Sequence, residues 1–241
     1  MAYYFISDLH LQADRPAMAE GFFSLLGRLN DAEKLFILGD FFEVWVGDDY
    51  QDALTERIKS ALSQLSNNGT EVIFMHGNRD FLMGQEFADA CGAHLLDEGT
   101  VIVNSGTEAL LMHGDSLCTQ DVAYMNMRQL FRSPEWQAQI LEKPLEERLA
   151  LGRQIRSESK TGQQMKADDI MDVTQAEVDR VMSEAGVDRL IHGHTHRPDT
   201  HHWDFDGEAR ERIMLGDWGD DQGWLIRWPA DGEPVLERFS F

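Results

Sequence analysis

Five short apolar runs in this chain break off in the same way, each running straight into Asp or His, four of them beside Gly. Phe5-Ile6 leads to Ser7-Asp8-Leu9-His10, and Ile37-Leu38 leads to Gly39-Asp40. Phe74-Met75 leads to His76-Gly77-Asn78-Arg79-Asp80, Leu111-Met112 to His113-Gly114-Asp115, and Leu190-Ile191 to His192-Gly193-His194-Thr195-His196. The first three runs are each followed by a stretch with 3.6-residue apolar periodicity, near 17–29, 52–65 and 81–91. Such a βαβαβα rhythm predicts an α/β core with strands buried between helices. In an open α/β sheet the ligand crevice lies beyond the carboxyl ends of the strands, so the five clusters are expected to meet at one site. Further strands are predicted over 101–103 and 109–112, and a meander over 200–205, 212–215 and 223–228. Two sheets packed face to face, with helices outside, accommodate both halves.

Between Asp121 and Gly186 the pattern becomes helix after helix, broken at Ser133-Pro134, Lys143-Pro144 and Thr161-Gly162. The expected organisation is a core over 1–120, a helical insertion or lid over 121–186, and a return to the core over 187–241. From Asp121 to Ala167 eight basic residues face six acidic ones, whereas the chain as a whole carries a formal charge of −22. That balance excludes a generally basic nucleic-acid binder and favours cations as ligands. The two cysteines, Cys91 and Cys118, form no CxxC pair, which excludes a thiolate zinc site and fits buried free thiols in a reducing compartment. Asp8 interrupts the N-terminus before a signal-peptide apolar region could finish, and no run approaches 18 apolar residues. A cytoplasmic protein without a membrane span is expected, and no feature calls for a protein partner.

The cluster residues carry chemistry as a set. Asp8 and His10 are two apart, as are His194 and His196, so each pair projects to one side if the strand conformation persists. A donor set of Asp, His and Asn without Cys selects manganese, iron, zinc or magnesium, and the mixed nitrogen and oxygen character leans toward manganese. Asp8, His10, Asp40, Asn78, His113, His194 and His196 are more ligands than one such ion needs. Two divalent ions about 3.5–4 Å apart is the known arrangement for phosphoester and phosphoanhydride hydrolysis. His76, His94, His192, His201 and His202 read as supporting or surface groups, Asp48 and Asp49 as loop residues, and Asp80 and Asp115 as residues that orient neighbours.

The order Asp-x-His, Gly-Asp, Gly-Asn-x-Asp, His-Gly, Gly-His-x-His resembles the calcineurin-like metallophosphoesterase family over almost the whole chain. Ser7–Leu11, Leu38–Asp49 and His76–Leu82 narrow the resemblance to the branch acting on UDP-2,3-diacylglucosamine in lipid A biosynthesis. Arg156-Ser157-Glu158-Ser159-Lys160 and Lys166 stand where that branch contacts substrate. The resemblance implies a four-layer α/β/β/α sandwich with a helical lid. It implies Asp8, His10, Asp40 and His196 at a first metal ion, and Asn78, His113 and His194 with the shared Asp40 at a second. It further implies substrate contacts from Asn78, Arg79, Asp121, Ser159, Gln163, Lys166 and His194, with Asp40, Asn78, Arg79 and His194 acting in catalysis. The implied reaction is attack of metal-activated water on the uridine-side phosphorus, giving UMP and 2,3-diacylglucosamine 1-phosphate. One departure from the wider family is informative: Arg79 stands where His usually follows Gly-Asn. Arginine cannot act as an acid at neutral pH, but it can hold phosphate charge. A phosphate monoester, with a second pKa near ~6, leaves without a proton, so Arg79 favours a pyrophosphate substrate over an alkyl phosphodiester.

In the insertion, Met125, Met127, Leu130, Phe131, Trp136, Ile140, Leu141, Leu145, Leu149 and Ile155 supply apolar surface for acyl chains or for packing helices together. Arg128 and Arg132, one helical turn apart, are expected to face anionic lipid, giving weak peripheral contact with the cytoplasmic side of the inner membrane. An alternative is a dinuclear phosphodiesterase or phosphatase acting on soluble nucleotides or phosphoproteins, with the insertion as a cover only. A catalytically silent scaffold of the same fold is a third reading, which would require missing metal ligands.

Overall fold

The computed structural model describes residues 1–164 and 170–241, without the side chains of 158–164. The first half alternates as its periodicity predicts: β1 (Ala2–Ile6), α1 (Pro16–Leu26), β2 (Ala32–Leu38), α2 (Ala53–Asn67), β3 (Glu71–Met75), α3 (Gln85–Cys91) and β4 (Ala93–Leu96). A hairpin of β5 (Thr100–Asn104) and β6 (Thr107–Leu111) follows, then a 3-10 turn at Asp115–Leu117. Four helices come next: α4 (Val122–Phe131), α5 (Pro134–Leu141), α6 (Leu145–Gln164) and α7 (Gln175–Ala185). The chain closes with β7 (Arg189–His192), β8 (Asp199–Phe205), β9 (Glu208–Met214), β10 (Gln222–Pro229) and β11 (Val235–Ser240).

The strands form two sheets, ordered β11-β10-β1-β2-β3-β4 and β5-β6-β7-β9-β8. β1 to β4 run parallel, as do β6, β7 and β9. Phe5, Phe36, Leu38 and Met75 of the first sheet pack against Leu111, Ile191 and Ile213 of the second. On the outer face of the first sheet, Phe22, Ile58 and Phe87 bring α1, α2 and α3 onto Tyr4, Ile37 and Phe74. This is the expected α/β/β/α sandwich. Full burial of each large apolar side chain stabilises it by roughly 1.5–3 kcal/mol, which fixes the strand ends on one rim.

Three local expectations change. The predicted meander splits: β8 and β9 pair as a hairpin in the second sheet, while β10 crosses to lie antiparallel to β1 in the first. Trp228 and Ile226 of β10 are fully buried between the sheets, a demand of packing that no local signal announces. The helix expected from 81 begins at Gln85. The Asp48 carboxylate, from a distant loop, accepts hydrogen bonds from the amides of Gly84 and Phe87, so the cap that fixes this start is tertiary. Finally, α7 packs Val178 and Met182, both fully buried, against Leu110, Leu117 and Leu190. It therefore supplies the outer layer of the second sheet, although the expected insertion range of 121–186 includes it. The helices standing apart from the layers are α4 to α6, where Ile140 and Arg148 are the buried residues among those whose side chains are described.

Candidate metal centre and substrate cavity

The site is built where strands end and the backbone reverses hand. β1 stops at Ile6, and Asp8 and His10 adopt left-handed backbone with φ of 57° and 48°. Asp40, His194 and His196 do the same, at 50°, 71° and 57°. The strand conformation therefore does not persist through either pair, and convergence comes from turns that aim each side chain inward. A non-glycine residue held there costs of order 1 kcal/mol or more, and such costs gather at functional sites. Two glycines make the crowding possible. A Cβ at Gly77 would overlap the Asp40 amide and carboxylate, and one at Gly193 would overlap Ser7 Oγ and Asp8 Oδ2. Backbone bonds tie the loops together, from Asp8 N to Gly39 O, His10 N to Asp40 O and Gly193 N to His113 O.

The side chains then meet in two groups of ligand atoms, Asp8 with His10 and His196, and Asp8 with Asp40 and His113. His10 Nε2 lies 3.3 Å from His196 Nε2, and His196 Nε2 lies 3.3 Å from Asp8 Oδ1. Asp8 is common to both groups, and Asp40 of the second reaches toward the first: its Oδ2 is 4.0 Å from His10 Nε2, and its Oδ1 is 3.7 Å from His113 Nε2. Asn78 Oδ1 is 3.0 Å from His113 Nε2, and the His194 ring meets His113 edge-on with 5.0 Å between centroids. All seven residues expected as metal ligands are thus gathered on one rim.

Neighbours fix them. Ser7 Oγ and the His194 amide both donate to Asp8 Oδ2, leaving the buried Oδ1 without a hydrogen bond. The Arg79 amide donates to Asp40 Oδ1 at 2.9 Å. Asp80, as expected, orients two loops by accepting from the amides of Phe41 and Gly77. His76 and His192 lie 2.7 and 2.8 Å from the carbonyls of Met83 and Gly193, while His94 and His202 are exposed.

Electrostatics show what this cluster lacks. Burial drives the Asp40 carboxyl up, assisted by the negative Asp80 and Asp8, and His113 and His10 do not cancel the rise. Burial lowers His113 and His196, yet the surrounding carboxylates win and both reach about 9. Asp8 stays far below the usual carboxylate range: burial opposes this, and the close approach of His196 and the charges of the other histidines outweigh it. Burial holds His194 neutral, at about 3. Buried carboxylates and imidazoles that share protons in this way are a cation seat, and divalent ions suit the nitrogen and oxygen donors present. The orphaned Asp8 Oδ1 is a further sign that these residues fit such ions.

Above the cluster lies a cavity of about 660 Å³, lined by core residues including Asp40, Asn78, Arg79 and His194 and by Asp121, Tyr124, Phe131 and Arg156 of the insertion. An apolar cleft of about 60 Å³ leads off it between Trp45, Phe81, Phe131, Trp136, Ile140 and Leu151. Asp121 caps α4 by accepting from the Tyr124 amide. Arg79 lines both spaces, with Nε 3.9 Å from Asp40 Oδ2. The side chains of Ser159 and Gln163, and the whole of Lys166, lie outside the described residues.

Arg128 and Arg132 do not face lipid. Arg128 pairs with Asp115 and Glu98, and Arg132 donates to the carbonyls of His76 and Gly77. A guanidinium one turn along an amphipathic helix finds its carboxylates in the core, and their attraction turns it inward. Sequence reasoning missed Glu43 and Tyr124. Glu43 interrupts the apolar run Phe41-Phe42-Glu43-Val44-Trp45, a signal that a buried charge needs partners. Tyr124, whose hydroxyl donates to Asp115 at 2.5 Å, carries no such signal.

The model of the family described as calcineurin-like phosphoesterase matches residues 1–198. A UDP-2,3-diacylglucosamine hydrolase from Chromohalobacter salexigens is 50% identical over 237 residues, covering 98% of this chain and 96% of that protein. Proteins of the same name from Cellvibrio japonicus and Pseudomonas aeruginosa are 51% and 50% identical, covering 95% and 96% of this chain and 95% and 97% of their own lengths.

Proposed function

The chain belongs to the calcineurin-like phosphoesterase family, and from that premise we propose that it hydrolyses the pyrophosphate of UDP-2,3-diacylglucosamine, in lipid A biosynthesis. One observation carries the reading: two carboxylate–imidazole groups and Arg79 form the floor of a cavity that opens into an apolar cleft under the insertion. A polar head with a diphosphate and a tail of acyl chains needs both environments side by side.

Asp8, His10, Asp40 and His196 would hold one divalent ion, and Asp40, Asn78, His113 and His194 a second, with manganese our choice of metal. When bound, the ions supply Lewis acidity and lower the pKa of water, generating the nucleophile at neutral pH. The chain's own groups do the rest. Arg79, permanently charged, holds the oxygens of the transferring and departing phosphates. It cannot donate a proton, and none is required, because the departing phosphate monoester is stable as an anion. Water adds to the uridine-side phosphorus, the bond from that phosphorus to the bridging oxygen breaks, and UMP and 2,3-diacylglucosamine 1-phosphate separate. His194 stays neutral beside the reacting groups and presents a lone pair. Asp121, Ser159, Gln163 and Lys166 would meet the nucleotide-lipid from the insertion.

No helix among the described residues is long and apolar enough to cross a membrane. Weak contact with the inner-membrane surface, on its cytoplasmic face, falls instead to exposed apolar side chains on the insertion. Val122 and Leu130 are 65% and 52% exposed, and Leu141 is 44%. The deciding experiment is phosphorus NMR of UDP-2,3-diacylglucosamine hydrolysed with manganese in oxygen-18 water, with Asp40→Asn as control. Metal-dependent label in UMP that the variant fails to produce is the expected result. Turnover of soluble phosphodiesters alone would keep the dinuclear centre and overturn the lipid substrate.

A further inference from the structure

Glu43 belongs to neither ligand group, yet it touches both the metal site and the insertion. Its Oε2 lies 3.1 Å from His10 Nδ1, and its Oε1 is paired with Arg156 Nε of α6. Arg156 Nη1 donates in turn to Gln12 Oε1 at 3.1 Å, on the loop that follows His10. The residue is only 9% exposed, in an otherwise apolar stretch. Its backbone is fixed to the His10 loop, since Glu43 N donates to Leu11 O and Leu11 N to Phe41 O. The carboxylate therefore has little freedom to move independently of His10.

The two nitrogens of His10 have separate partners. Nδ1 faces Glu43, while Nε2 faces His196 and Asp40 at 3.3 and 4.0 Å. A carboxylate on one ring nitrogen fixes the tautomer that leaves the other a lone pair, and fixes the ring plane with it. What holds the carboxylate itself is a guanidinium on a helix outside the sandwich layers. Without Arg156, a buried Glu43 loses the guanidinium paired with its Oε1, and with it a restraint that keeps Oε2 on the imidazole.

We infer that Glu43 is a positioning residue that couples the seat of the His10 metal ion to the docking of insertion helix α6 through Arg156. The inference rests on the dinuclear reading above and deepens it. α6 then completes the metal centre besides covering the cavity, and because binding linkage is reciprocal, filling the His10 seat firms the docking of α6.

The test is a manganese titration of the full chain, followed by electron paramagnetic resonance and calorimetry, on wild type, Glu43→Gln, Arg156→Ala and the double variant. Hydrogen exchange of α6 is measured with and without manganese. Wild type is expected to take up two ions, and Glu43→Gln to hold one of them about 10–100-fold more weakly while keeping the other. Arg156→Ala is expected to weaken the same ion by a smaller factor, with the double variant no worse than Glu43→Gln. Manganese should slow exchange in α6 of wild type but not of Glu43→Gln. Both ions bound at wild-type affinity in Glu43→Gln would overturn the coupling. So would Arg156→Ala that raises KM with both ion affinities intact, because Arg156 would then be a substrate contact alone. If Glu43→Gln fails to fold, Arg156→Ala decides by itself, since its side chain is partly exposed. Wild type that takes up fewer than two ions would instead remove the dinuclear reading, and the coupling with it.

Discussion

The rim of strand ends and the helices above it are held by different forces. On the rim, Asp8, Asp40 and His113 are buried, and loop-to-loop backbone bonds and close-packed glycines keep left-handed turns in place. α4 has no buried residue and α5 has Ile140 alone. α4 and α6 attach through arginines: Arg128 to Asp115 and Glu98 and Arg132, at the end of α4, to the Gly77 carbonyl; Arg148 to Asp49 and the Val46 carbonyl, and Arg156 to Glu43. The rim trades stability for geometry, whereas the insertion is tethered by charge and has little apolar core of its own. The local surplus of positive charge in a strongly acidic chain is in large part this tethering.

The contrast breaks most completely at Asp40. Asp40→Asn is expected to lose roughly 10³-fold or more in kcat, about 4 kcal/mol of barrier. The metal-free variant should nonetheless melt higher, by roughly 2–4 °C for each kcal/mol regained, because one buried carboxylate beside Asp8 and Asp80 is gone. Steady-state kinetics and calorimetry check the two halves. On the insertion side, Arg128→Ala removes a half-buried guanidinium from the fully buried Asp115. Limited proteolysis within α4 to α6 should quicken about 10-fold or more, and KM should rise, with manganese content unchanged.

A pH series sharpens the comparison further. In the metal-free protein His113 and His196 titrate near about 9, above their ordinary 6.5. A raised histidine pKa adds stability that is complete below about 6.5 and is lost as pH rises toward 9. The melting temperature of metal-free protein should therefore fall over that interval, while manganese affinity rises as the same protons leave. Manganese-loaded protein should show a much flatter profile. The smallest effect belongs to the exposed apolar side chains: Val122→Glu with Leu130→Glu should change stability by within about 0.5 kcal/mol, yet reduce sedimentation with anionic liposomes. Unchanged sedimentation would remove those residues from any membrane contact.

Much of the rim was legible because five of its ligands stand within three residues of the end of an apolar run. Asp8, Asp40, Asn78, His113 and His194 are placed by strands whose periodicity is local. The route of convergence was not legible: spacing of two suggested continued strand, but left-handed turns at Asp8 and His10 aim the side chains, and Ser7, Gly39 and Gly193 pack against Asp8. Glu43 was visible as a charge in an apolar run, although its partners, His10 and Arg156, are 33 and 113 positions away.

By itself the sequence determined the α/β layering and the run of helices between the two halves of the core, and it nominated seven metal-ligand candidates that meet on one rim, since hydrophobic periodicity and residue chemistry are local properties. Tertiary structure alone decided that β10 joins the first sheet, that α3 waits for its cap from Asp48, that α7 belongs to the core, and that Arg128 and Arg132 turn inward. Each of these depends on which distant group supplies the missing contact. Burial rewards an apolar face, and buried carboxylates attract a guanidinium, wherever in the chain the partner comes from.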